Sequence, residues 1–216
     1  MYLCNPMQNT TKTILYIHGM GGGADSRIPS ILSDALAQCR VVCRTYDFNP
    51  KIAHGQIEAW IKELRPDLVI GESLGALHAL RVKGVPLIFV SPALNAALYL
   101  NLLSLLTWIP GVSRFFAWRY KPREGDRQPL NFSRSVLKEY REHARQALDF
   151  TDSDGRYIHA YFGAHDHYRR DGIVSIRRWK KLFGETFSVY DGTHFMENKY
   201  VYSMLIPDIL RVLNIK

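Results

Sequence analysis

The chain has 216 residues, 47% of them hydrophobic, enough for one globular domain with a substantial core. Lys and Arg outnumber Asp and Glu by 28 to 20, a formal net charge of +8 that suits anionic partners or, more simply, solubility. No helix-turn-helix, zinc-finger or RNA-binding signature accompanies the charge, which argues against nucleic acid, and no composition break or repeat divides residues 1–216 into more than one domain.

Taken in chain order, residues 13–17 (TILYI) predict a first strand that runs into the turn residues 18–23. Residues 27–37 predict a helix whose inner face carries Ile28, Ile31, Leu32, Ala35 and Leu36. A strand over 41–46 is closed by Asp47-Phe-Asn-Pro, and a helix over 52–64 stops at Pro66. A short buried strand at 68–70 leads into a helix over 74–82, and a strand over 85–90 ends at Ser91-Pro92. After a long insertion come a strand over 157–162, a helix over 173–183, a strand over 186–190 and a closing helix over 200–213. Strands separated by helices imply right-handed crossovers and an α/β fold: a mainly parallel six-stranded sheet covered by helices on both faces. Ligands of such sheets sit at the carboxyl ends of the strands, so chemistry-bearing residues are sought there.

Cys4, Cys39 and Cys43 form neither a disulfide framework nor paired metal ligands. Cys39 and Cys43 are expected around the start of a buried strand, where cysteine acts as a small hydrophobe. The first twelve residues lack the basic segment and apolar run of a secretory signal, so a cytoplasmic location is expected.

The passage from strand to helix around Ser73 leaves only Gly71-Glu-Ser-Leu-Gly75 between them. So tight a turn strains its central residue and lifts the side chain above the sheet, the geometry of a nucleophile elbow. Small residues are needed two positions to either side, where a Cβ would collide with a neighbouring strand or helix, and Gly71 and Gly75 meet that need. The Leu74 amide then lies at a helix N-terminus, where a developing oxyanion is favoured. A serine that merely caps the helix is the plainer alternative, and the strand before and helix after favour the elbow.

Four blocks, HGMGGG, GESLG, GAHD and DGTHF, stand in an order that resembles the α/β-hydrolase superfamily, particularly its small, esterase-like members. The likeness covers nearly the whole chain apart from residues 92 to about 156. It implies a serine hydrolase with a Ser-Asp-His order along the chain. The resemblance to the family's HG-x loop makes the Met20 amide the second oxyanion donor beside Leu74, with His18 bracing the loop. A phosphate-binding reading of the same glycines fails, because neither a Lys-Ser/Thr ending nor the spacing of a dinucleotide fingerprint is present.

His194 follows the last strand in Asp191-Gly-Thr-His-Phe and is placed to take the proton of Ser73 and return it to a leaving group. The third member must orient His194. Asp166 follows the penultimate strand and matches the family's G-x-x-D position; Asp171 in the same loop is its rival. His165, Asp166, His167 and His194 also invite a metal reading, but adjacent loop residues diverge and no i, i+4 histidine pair supports them, so neither metal nor cofactor is expected.

The insertion, about 93–156, opens with an apolar run from Leu98 to Pro110 and continues with Phe115, Phe116 and Trp118. Charges come only after the apolar run, at Arg114, Arg119, Lys121 and Arg123, and Ser133 begins a helix with Val136, Leu137, Tyr140, Ala144 and Leu148 inward. The apolar run is too short to span a bilayer and is broken by Pro110-Gly111. In the resembled family this is the place of a helical cap, which implies an apolar acyl pocket over the site. Core packing, a dimer interface and weak docking on a membrane surface are the other readings of the same residues. The expected activity is cleavage of a small-molecule carboxyl ester with an apolar acyl group through an acyl-enzyme on Ser73. A thioesterase or amidase would use the same chemistry, and a non-catalytic binding module on this fold is the alternative from another class.

Overall fold

A computed structural model describes residues 11–120, 124–149 and 155–215. Cys4, Lys121 and Arg123 lie outside them. Six strands, β1 (Lys12–Ile17), β2 (Cys39–Cys43), β3 (Leu68–Glu72), β4 (Leu87–Val90), β5 (Ile158–Gly163) and β6 (Phe187–Tyr190), pair in the order β2-β1-β3-β4-β5-β6. Every neighbouring pair is parallel.

Alternation along the strands divides the core into two layers. Leu15 and Ile17 of β1 point into one, with α2 (Pro50–Leu64), α3 (Gly75–Ala79), α6 (Arg134–Ala147) and α8 (Ile176–Phe183). Ile14 and Tyr16 point into the other, with α1 (Arg27–Ala35), the π-helical turn Val201–Leu205 and α10 (Ile206–Val212). Because β1 lies between β2 and β3, the chain leaves β1 towards α1 on one face and leaves β3 towards α3 on the other. The loops after β1 and β3 therefore leave the carboxyl edge towards opposite faces, the position at which parallel sheets hold their ligands.

Local chemistry explains most boundaries. Asn49 accepts the Lys51 amide at 2.9 Å to cap α2, Pro50 occupies its first turn, and Arg65 ends it in the left-handed region before Pro66. The helix read over 173–183 begins only at Ile176, because the Ser175 hydroxyl caps it by accepting the Arg178 amide at 3.2 Å. The strand read over 41–46 lies instead at 39–43 on the sheet edge, and four of its five residues are not buried. The closing helix is broken into α9 (Asn198–Tyr200), the π turn and α10, where an extra residue is accommodated.

The insertion is not one lid. α4 (Ala96–Leu106) and α5 (Val112–Arg119) form its outer part. α6 instead packs on α2, α3 and α4 and buries Val136, Leu137, Tyr140, His143, Ala144 and Ala147, so it is a layer of the core. The apolar side chains expected to wall an acyl pocket, Leu102, Phe115 and Trp118 among them, face solvent. Among the described residues no helix is long and apolar enough to cross a membrane.

Candidate active site

Ser73 follows the last residue of β3 and has φ +50°, in the left-handed region that costs a non-glycine residue on the order of 1–3 kcal/mol. Three backbone hydrogen bonds hold it there. Its amide donates to Val90 O at 2.9 Å, and its carbonyl accepts the amides of Ala93 at 3.0 Å and Ala76 at 3.2 Å. The neighbouring glycines are demanded by close approach. A Cβ on Gly75 would stand 2.4 Å from the carbonyl oxygens of both Ile17 and His18, and one on Gly71 would meet the Ala79 Cβ at 2.8 Å. β1 and α3 are thus pressed together behind Ser73.

From the far side of the sheet edge, the loop after β6 brings His194 Nε2 to 2.9 Å from Ser73 Oγ. The His194 Nδ1–H donates to Asp166 Oδ2 at 2.8 Å. Asp166 caps α7 (His167–Arg170), its Oδ1 accepting the Tyr168 amide at 2.8 Å. Asp166 and His194 are only 2% and 3% exposed, so their hydrogen bond is shielded from water and strengthened accordingly. With Nδ1 as donor, Nε2 carries the lone pair and faces the serine hydroxyl. Asp171 is not part of this chain of contacts: it ends α7, and its carbonyl accepts the Tyr99 hydroxyl.

The loop after β1 closes over the serine from the other side. A Cβ on Gly19 would lie 3.0 Å from Ser73 Cβ, so the backbone of that loop runs against the nucleophile position. Among the described residues the amides of Met20 and Leu74 have no hydrogen-bond partner, and Leu74 sits at the N-cap of α3. His18 is fully buried and stacks on Tyr46 at 4.3 Å, while Tyr46 donates to the His18 carbonyl at 2.5 Å. Burial lowers His18 to about 4, so it is a neutral brace.

Several supporting residues gave no signal in the sequence. Gln128, buried, reaches back from the insertion: its side-chain oxygen accepts the Gly21 amide at 3.1 Å and its own amide donates to Gly22 O at 2.7 Å. Arg27, at the start of α1, donates to the carbonyls of Phe195 and of Met196, the latter at 2.8 Å, and to Asn198. It thereby ties down the loop that carries His194. Tyr168 sets its ring edge-on to His194 at 4.6 Å. Glu72, beside the serine, accepts the Tyr16 hydroxyl at 2.8 Å, and burial raises its carboxyl above the usual range.

The His-Asp-His run diverges. His165 pairs with Asp191 at the surface at 2.7 Å, Asp166 turns inward to His194, and His167 lies against Tyr168. Among the described residues no group of three or more His, Cys, Asp or Glu side chains is gathered that could hold a metal ion. Cys39 and Cys43 are free, and burial raises both thiols, that of Cys43 to about 12.

No protein-family model matches the chain, and no curated protein matches it in sequence. Solved structures are similar in shape. The monoacylglycerol lipase of Paleococcus ferrophilus aligns over 94% of this chain and 96% of its own, with 15% identity and a TM-score of 0.62. A haloalkane dehalogenase of Agrobacterium tumefaciens aligns over 94% and 90%, with 12% identity and a TM-score of 0.63. A structure from a study of carboxylesterases of the archaeon Nitrososphaera gargenis aligns over 95% and 92%, with 13% identity and a TM-score of 0.57.

Proposed function

We propose that this chain, which has the α/β-hydrolase fold, is a serine hydrolase that cleaves a carboxyl ester with an apolar acyl group. The fold alone does not select that chemistry, since a lipase and a haloalkane dehalogenase share it. The observation that carries the reading is the continuous line of contacts from Ser73 Oγ to His194 Nε2, at 2.9 Å, and from His194 Nδ1 to Asp166 Oδ2, at 2.8 Å.

In this mechanism Ser73 Oγ attacks the ester carbonyl carbon while its proton passes to His194 Nε2. Asp166 holds the ring and stabilises the imidazolium. The carbonyl electrons move to its oxygen, which the Met20 and Leu74 amides receive; each such donor contributes roughly 3 kcal/mol to the transition state. His194 returns the proton to the departing alcohol, leaving an acyl-enzyme on Ser73. Water then repeats the sequence: His194 takes its proton, hydroxide adds to the acyl carbon, and Ser73 regains a hydrogen as the carboxylic acid leaves.

The preference for an apolar acyl group is supported by the exposed side chains of Met20 and Phe195, which directly follow Gly19 and His194. The structural neighbours described as a monoacylglycerol lipase and carboxylesterases agree with an ester substrate. A series of p-nitrophenyl esters from acetate to laurate tests the proposal. Activity is expected to peak at an intermediate or long chain and to fall by a factor on the order of 10³ or more in Ser73→Ala. Turnover of every ester at the same rate by wild type and Ser73→Ala would leave the proposal without support.

A further inference from the structure

α4 and α5 leave a large apolar surface uncovered. α4 buries Ala97, Leu100 and Ser104, but its opposite side is equally apolar, with Leu102 61% exposed. A helix apolar on all sides is normally enclosed. α5 buries none of its residues. Trp108, between the two helices, is 68% exposed and Trp118 is 72% exposed. Patches of this kind on a folded chain mark an interaction surface.

Within the segment that carries the patch, the charged side chains have one sign. The sequence contains no Asp or Glu between Glu72 and Glu124, whereas Arg114 and Arg119 stand among the aromatic residues of α5. Arg134 lies over the Trp108 ring at 4.1 Å, so a cation and an indole are presented together. A second copy of this chain fits poorly, because two-fold pairing would bring Arg114 and Arg119 of both copies into one interface. Indole rings and long aliphatic side chains interspersed with Arg, on a segment that itself carries no carboxylate, match the boundary between anionic headgroups and acyl chains.

We propose that the outer face of α4 and α5 docks on an anionic lipid surface, with Trp108 and Trp118 entering the headgroup–acyl boundary and Arg114 and Arg119 meeting lipid phosphates. Both ends of this segment are fixed at the carboxyl edge of the sheet. It departs from the end of β4, where Ala93 is bonded to Ser73, and returns through Gln128, which is bonded to Gly21. Docking therefore brings the carboxyl edge of the sheet, with Ser73, towards the membrane surface. It requires no catalysis, so a binding measurement stands whether or not Ser73 is a nucleophile.

The test is co-sedimentation of the full chain, as wild type and as Ser73→Ala, with vesicles of phosphatidylcholine alone or mixed equally with phosphatidylglycerol. Both forms are expected to bind the anionic vesicles at least about tenfold more tightly than the neutral ones, and more weakly in high salt. Leu102→Ser with Trp118→Ser should weaken binding by at least about tenfold, while Arg114→Glu with Arg119→Glu should abolish the preference for anionic lipid. Trp108→Phe with Trp118→Phe should keep binding but lose fluorescence quenching by brominated lipid, since of the two remaining indoles Trp179 is buried in the core and Trp60 lies on α2, against Arg44, outside the α4–α5 segment. Circular dichroism checks that each variant is folded, and turnover of a soluble short ester adds a second check for the variants that keep Ser73. A folded wild type that ignores anionic vesicles would overturn the proposal. So would a concentration-dependent dimer that Leu102→Ser with Trp118→Ser dissolves, if vesicle binding is absent.

Discussion

Replacing Asp166 by Asn changes one atom and, on the observed geometry, reverses a tautomer. Asp166 Oδ1 accepts the Tyr168 amide and Oδ2 accepts from His194 Nδ1, both at 2.8 Å. Asn has a single acceptor oxygen, and Tyr168 N–H can only donate, so that oxygen must remain with Tyr168. The Asn NH₂ then faces His194 and donates to Nδ1. The ring proton moves to Nε2, which now donates to Ser73 Oγ instead of accepting from it. With the base blocked, kcat should fall by about 10⁴, equivalent to about 5 kcal/mol of barrier. Both hydrogen bonds and the side-chain volume survive, so stability should change by less than about 1 kcal/mol. Asp171→Asn should leave kcat within about twofold, because the hydrogen bonds that join Ser73, His194 and Asp166 do not include that carboxylate. The assay is kcat/KM on a soluble ester alongside urea unfolding of each variant. A folded Asp166→Asn enzyme within tenfold of wild type would refute the reasoning, as would an equal loss in Asp171→Asn.

Other outcomes follow from the same geometry. Gly75→Ala forces a methyl group onto two backbone carbonyls and should destabilise the fold by at least about 3 kcal/mol in urea, with activity lost; a change below about 1 kcal/mol would mean that β1 and α3 are not so closely packed. Gln128→Ala releases the Gly21 amide and loosens the loop that carries the Met20 amide, so kcat should drop about ten- to a hundredfold with KM nearly unchanged; a pure KM effect would contradict that role. Burial lowers His18 from 6.5 to about 4 and His143 to about 3. The unfolded chain therefore binds protons below about pH 6.5 that the folded chain refuses. Stability should be full above that pH and fall as pH drops, with His18 alone removing about 3 kcal/mol near pH 4. Urea midpoints that stay level from pH 7 to pH 4, at equal slope, would argue against buried neutral imidazoles.

What could be read from the sequence follows the range of the interactions involved. Ser73 was legible because the elbow is local: strand, two glycines and helix fall within one short segment. His194 and Asp166 were legible because each directly follows a strand, and every carboxyl end of a parallel sheet lies at one edge. Gln128 was not, since its partner Gly21 is 107 positions away and nothing in the intervening apolar run fixes how the chain returns. Arg27 was hidden for the same reason, reading in the sequence as the polar start of an amphipathic helix. The division of the insertion also escaped a periodicity argument. The spacing in α6 places Tyr140 inward, where it is found, but α4 is apolar on all sides, and only three-dimensional order decides that its Leu100 is buried while Leu102 meets solvent. β2 was displaced because an edge strand buries little and its apolar pattern is weak.

The central claim is that Ser73 is an activated nucleophile, and covalent capture tests it most directly. A fluorophosphonate probe should add once to the wild-type chain, with the adduct mapped by mass spectrometry to Ser73, and should leave Ser73→Ala unmodified. A folded wild type that stays unlabelled, or one labelled at a different residue, would contradict it.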